Sequence, residues 1–132
     1  MLEGFHERKN RNDLSTIRPL LNAEQIASYR DRVREIHIEP NLIRYVAQIV
    51  SQTRNNASVY LGASPRASIA IMSSAKAYAA IQGRDFVTPE DIKAMVLPVL
   101  RHRLMLTAER EMEGISTDEV LKQIVDKVEV PR

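Results

Sequence analysis

Residues 64–83 read Ser-Pro-Arg-Ala-Ser-Ile-Ala-Ile-Met-Ser-Ser-Ala-Lys-Ala-Tyr-Ala-Ala-Ile-Gln-Gly, from Ser64 to Gly83, and this stretch decides the fold. Apolar residues at nearly every position predict a helix from Pro65 to about Gln82 that is buried almost all round, and therefore central. Its many alanines let neighbouring helices pack close, and Gly83 suits its C-terminal cap. Ser64 can cap the other end, and Pro65 fits the first helical position, where a missing N–H costs nothing. Arg66 then breaks the pattern. A helix N-terminus carries about +0.5 charge, so an acid belongs there and a cation does not. Bare amides beside a guanidinium form a good anion site. No phosphate-cradling loop accompanies it anywhere in the 132 residues.

Working outward, Asn22 and Gln25 form a capping pair that opens a helix with Ile26, Tyr29 or Arg30, and Val33 on one face. Ile36-His37-Ile38 alternates like a short strand and stops at Glu39-Pro40. The next helix runs from about Asn41 to Arg54, with Leu42, Tyr45, Val46, Ile49, Val50 and Thr53 on a 3.6-residue period. Thr88-Pro89-Glu90-Asp91 is a second strong helix start, followed by the stripe Ile92, Met95, Val96, Val99, Leu100 and Leu104. Pro98 lies inside that helix and is expected to kink or divide it. Leu104-Met105-Leu106 reads as a strand that would pair with residues 36–38. Ser116 to Glu119 is a third capping box, opening a last helix through Leu121, Ile124 and Val125, and residues 128–131 end extended.

The expected architecture is all-α: a bundle of about five helices with one short two-stranded β pairing. Residues 1–20 are polar and basic (His6, Arg8, Lys9, Arg11, Arg18) and read as a linker or lead-in. Residues 21–131 read as the folded domain.

The composition is that of an ordinary globular chain, 44% hydrophobic and 27% charged, with a net charge of +2. That balance argues against nucleic acid as the default partner. With no cysteine, disulfides and thiolate metal sites are excluded, which fits a reducing, cytoplasmic setting. No apolar run approaches the roughly 20 residues of a membrane span.

Catalytic motifs are missing as well. The chain has no P-loop, no nucleophile elbow, no His-Glu-x-x-His and no Gly-rich dinucleotide turn. His6, His37 and His102 lack ligand spacing, so no metal site is expected. The acid pairs Glu90-Asp91 and Asp118-Glu119 stand where helix starts want negative charge. Besides Arg66, only Arg101-His102-Arg103 stands out, and cations near a helix C-terminus are favourable in themselves.

Three runs then carry a resemblance. They are Tyr60-Leu-Gly-Ala-Ser-Pro-Arg66-Ala, Gly83-Arg-Asp-Phe-Val-Thr-Pro-Glu-Asp-Ile-Lys93 and Val99-Leu-Arg-His-Arg-Leu104. Together with Thr53-Arg54 and the closing Val-x-Val-Pro, they resemble the C-terminal lid of MoxR-type AAA+ ATPases over about residues 20–131.

The resemblance implies a helical lid following a nucleotide-binding core in a ring-forming, chaperone-like ATPase. Some such proteins act on partners with a von Willebrand factor A domain. It implies ATP and Mg in the parent protein and none bound by this part alone. It places the sensor-2 residue, which touches the ATP γ-phosphate, on Arg66, with Gly62, Ser64, Arg101 and Arg103 in support. The Walker motifs, sensor 1 and arginine finger of the family are absent here, so this part by itself is expected to be inactive.

Two other classes are carried beside it. One is a small helical nucleic-acid module using Arg66, Arg84, Arg101 and Arg103 on phosphates, with steeply salt-dependent binding. The other is a protein-interaction adaptor, marked by an exposed apolar patch.

Overall fold

A computed structural model describes residues 2–7 and 17–131. Its elements, in chain order, are α1 (Leu2–Glu7), α2 (Ala23–Glu35), α3 (Pro40–Arg54), β1 (Val59–Leu61), α4 (Arg66–Ile81), α5 (Pro89–Leu100), β2 (Met105–Leu106), α6 (Ala108–Met112) and α7 (Thr117–Lys127). The described residues divide into two compact units, with the boundary between Arg30 and Asp31 within α2.

In the first unit, the N-terminal stretch read as a linker contains the short helix α1, while Arg8, Lys9 and Arg11 lie outside the described residues. The expected cap of α2 is present. The Asn22 amide donates to Gln25 Oε1 at 2.9 Å, and the Gln25 amide donates back to Asn22 Oδ1 at 2.8 Å. Even so, α2 buries no residue.

The second unit is a helical core around α4, which packs chiefly against α5 and then α3. Ala67, Ile71, Ala75 and Ala79 form its buried stripe at a spacing of four, and the alanines let α3 and α5 approach closely. Around them lie Tyr45, Val46 and Ile49 of α3, Ile92, Val96 and Leu100 of α5, and Leu121 and Val125 of α7.

The expectation that α4 is buried all round is corrected. Ile69 is 62% exposed and Ile81 79% exposed. The fully buried face is the alanine stripe alone; the rest of the helix is partly covered, and Ile69 and Ile81 are left open among the described residues. Gly83, at φ +76, ends α4 as expected. Its amide donates to the Ala80 carbonyl and that of Arg84 to the Ala79 carbonyl, both at 3.0 Å, the two bonds of a Schellman cap.

Three further expectations change. Residues 104–106 do not pair with 36–38. Instead β2 pairs antiparallel with β1, Val59 opposite Leu106 and Leu61 opposite Met105. His37 forms a single parallel bridge to Phe86, with amide bonds to Asp85 and from Val87. Strand choice depends on what the helices bring together, which local alternation does not encode.

Pro98 does not divide α5. The helix runs through it and stops two residues later, so the missing N–H falls in the last turn, where little ladder remains. The added helix α6 ends at Gly114, also at φ +76. No helix among the described residues is long and apolar enough to cross a membrane.

Candidate functional site: the start of α4

The chain leaves β1 and crosses Gly62, Ala63 and Ser64 before entering α4. This short segment is held against the last turn of α3 by three separate features. Gly62 passes so close that a Cβ there would lie 2.7 Å from the Thr53 carbonyl oxygen and 2.7 Å from Arg54 Cγ. Only a residue without a side chain fits. The Ala63 amide, fully buried, donates to Thr53 Oγ1 at 2.9 Å. The Ala63 carbonyl accepts from Arg54 Nη1 at 3.1 Å. Thr53 Oγ1 in turn donates to the Val50 carbonyl at 2.7 Å, so the buried hydroxyl is satisfied as donor and as acceptor.

Pro65 has helical angles, φ −56 and ψ −28. The first turn of α4 closes through backbone bonds from the Ala67 amide to the Ser64 carbonyl at 2.9 Å and from the Ser68 amide to the Pro65 carbonyl at 3.1 Å. The expected hydroxyl cap by Ser64 is therefore corrected. The amide a cap would take already donates to Ser64's own carbonyl, and no hydrogen bond of the Ser64 hydroxyl occurs among the described residues.

Arg66 is the first residue of α4 and is exposed. Its guanidinium has no ion pair and no hydrogen bond among the described residues; the ion pairs there are Arg34–Asp31, His37–Glu39, Arg84–Asp91, Arg101–Asp118 and Arg110–Glu113. The first turn of α4 holds no acid. An unneutralised cation thus stands at the positive end of the central helix, with nothing local to stabilise it there.

The other cations are placed differently. Leu61 pairs with Met105, so the Gly62–Arg66 segment and the Arg101–Arg103 turn adjoin the same strand pair. Arg101 is engaged by Asp118 at the start of α7, at 3.1 Å. Arg103 contacts the His102 ring at 3.2 Å and is exposed. Arg84 is committed to Asp91 through two parallel bonds of 2.7 and 2.6 Å. Two of the four arginines offered to a nucleic acid are therefore already paired with carboxylates.

The Asp91 carboxylate is 2% exposed and also accepts from the Thr88 amide at 2.8 Å and the Thr88 hydroxyl at 3.1 Å. Arg84, helped by Thr88, holds it below the usual carboxylate range against the opposing effect of burial. Asp91 thus has structural work at the start of α5, and Glu90 adds a second acid to its first turn. The Ser116 amide and hydroxyl likewise bond the Glu119 carboxylate and lower its pKa.

The sequence singled out Gly62, Ser64 and Arg66, and they occupy one segment. It placed Thr53-Arg54 in a matching run without a role, and their grip on Ala63 required the fold.

Comparison with known proteins decides the family. The AAA lid domain family matches residues 51–124, a span from the end of α3 to the last helix. The chain belongs to the AAA lid domain family. This lid is of the MoxR type: it is 35% identical over 125 residues to Chaperone MoxR1 of Mycobacterium tuberculosis, covering 83% of this chain and 33% of that protein. It is 34% identical over 84 residues to Protein MoxR of Paracoccus denitrificans, across 54% of this chain and 25% of that one.

The lid is also 35% identical to the uncharacterised protein YeaC of Bacillus subtilis, over 98% of this chain and 41% of YeaC. A crystal structure of a Cytophaga hutchinsonii protein designated an ATPase superposes with a TM-score of 0.82 at 30% identity, over 99% of this chain and 42% of that one. The lid domain thus spans about two fifths or less of the relatives it matches.

Proposed function

We propose that this lid closes over the nucleotide of an AAA+ ATPase core and that Arg66 acts as its sensor-2 arginine. The observation that carries the reading is the exposed, unpartnered Arg66 guanidinium at the start of the central helix. Phosphoryl transfer develops negative charge on the γ-phosphate oxygens, and a cation held against them lowers the barrier. Arg66 supplies such a cation from the lid, so the lid's position and the nucleotide's state become linked. ATP and Mg would be held by the core, and the lid would contribute no proton transfer of its own.

In this reading the parent is a cytoplasmic, ring-forming, chaperone-like regulator, with proteins carrying a von Willebrand factor A domain as candidate clients. Exposed Ile69, one turn along α4 from Arg66, fits a helix face that the core or a neighbouring subunit covers.

The test is Arg66→Ala in the complete ATPase. Turnover is expected to fall about 100-fold or more, the scale of arginine contacts to a transferring phosphoryl group. The melting temperature of the lid is expected to stay within about 2 °C, because no folded-state contact is lost. Unchanged turnover would remove the sensor role. Loss of folding would make Arg66 a structural residue.

A further inference from the structure

We infer that Arg54 is a positioning residue for Arg66, acting with Thr53 through the backbone N–H and C=O of Ala63. The inference rests on the sensor reading of Arg66 and adds the device that holds that arginine in place.

Both polar atoms of Ala63 are bound to consecutive residues of α3, its amide to the Thr53 hydroxyl and its carbonyl to the Arg54 guanidinium. Gly62, immediately before, lies against the backbone of the same two residues. The segment is thereby fixed in translation by close contact and in rotation by two bonds on opposite sides of one residue. Pro65 removes much of the remaining freedom, since its φ is locked. Only two residues, Ser64 and Pro65, separate Ala63 from Arg66, and Pro65 and Arg66 already have helical geometry. The last turn of α3 therefore sets where α4 begins and where the Arg66 guanidinium is presented.

Arg54 is suited to this. Its backbone is in the last turn of α3, yet its side chain is exposed and, among the described residues, its one hydrogen bond is to Ala63. A residue needed only for core stability would be buried, as Thr53 is. Rate enhancement by a positioned cation is steep in distance, and a misplacement of about 1 Å can lower it about 100-fold. An arginine that does no more than hold a carbonyl can then govern turnover without touching nucleotide.

The experiment is a double-mutant cycle in the complete ATPase, reading kcat and KM for ATP. Arg54→Ala alone should lower kcat about tenfold or more and move KM little, because what is lost is transition-state placement. In an Arg66→Ala background the same change should have almost no further effect on kcat, since Arg54 acts only through Arg66. Thr53→Val, which removes the hydroxyl at nearly constant volume, should lower kcat in the same direction, and Thr53→Ser should restore it. The lid of Arg54→Ala should keep its helical content by circular dichroism, separating misplacement from unfolding.

Multiplicative losses for Arg54→Ala and Arg66→Ala would overturn the inference by showing that Arg54 works independently. Wild-type kcat for Arg54→Ala, with Arg66→Ala impaired, would overturn it while leaving the sensor reading intact. Wild-type kcat for Arg66→Ala would remove both.

Discussion

Helices α4 and α5 begin with the same words and opposite charges. α4 is entered through Ser64-Pro65-Arg66 and α5 through Thr88-Pro89-Glu90-Asp91. At α5 the acid is used fully: Asp91 accepts from the Thr88 amide and hydroxyl and from both arms of Arg84. At α4 there is no acid in the first turn and no partner for Arg66 among the described residues. One start is closed by its own chain, and the other holds an open cation. The contrast teaches that α5 is started by an acid its own chain engages, whereas α4 is started by close backbone packing that leaves its cation free of partners among the described residues.

The comparison can be broken most forcefully at Asp91. Asp91→Ala strands Arg84 and removes the helix-start acid, and thermal unfolding should drop by about 10 °C or more. A drop of only a degree or two would mean that the start of α5 is no more structural than that of α4. Next in size is Gly62→Ala. Its Cβ meets backbone and the base of a side chain rather than a flexible tip, so the segment must move. Overpacking of this kind costs about 1–3 kcal/mol, or roughly 5–10 °C in melting temperature. Gly83 would respond through its positive φ instead, because nothing lies within 4 Å of a Cβ there.

Acid gives a third, smaller test. The folded-state pKa of Asp91 lies below its unfolded value. Its contribution is therefore present above the unfolded carboxylate range, near pH 4, and disappears as pH falls through the lower folded value. Denaturant titrations should show stability declining from about pH 5 downward in the wild type, with a shallower decline in Asp91→Asn. The smallest effect belongs to Arg66→Glu in the chain alone. Replacing the cation by an acid at a helix N-terminus should raise stability by a few tenths of a kcal/mol, one or two degrees at most.

Most of the helical plan was legible because its starts are written locally. The Asn22, Thr88 and Ser116 boxes each lie within four residues, and Gly83 marks a stop that its neighbours alone determine. Strand pairing was not legible. Val59–Leu61 and Met105–Leu106 are separated by two helices, and 36–38 alternated just as well until the packing of α4 on α5 set the partners. Helix α6 was missed although Gly114 carries the same signal as Gly83, since five residues show too little periodicity.

In the site, Arg66 could be found by its sign alone, as a charge that the local rule does not want. The Thr53–Arg54 grip on Ala63 could not, because it consists of contacts nine and ten residues apart in sequence that exist only once β1 turns back along α3. The exposure of Ile69 was missed for a related reason. An apolar residue reads as core, and local sequence does not say which apolar positions of a helix the fold leaves exposed.

The most direct measurement is ATP turnover by the complete protein carrying Arg66→Glu, at a temperature where the lid is folded. If Arg66 is the sensor cation proposed above, a lid with a better balanced first turn but without that cation should melt no lower than wild type, and the protein should turn over ATP at least about 100-fold more slowly. Wild-type turnover would contradict the account.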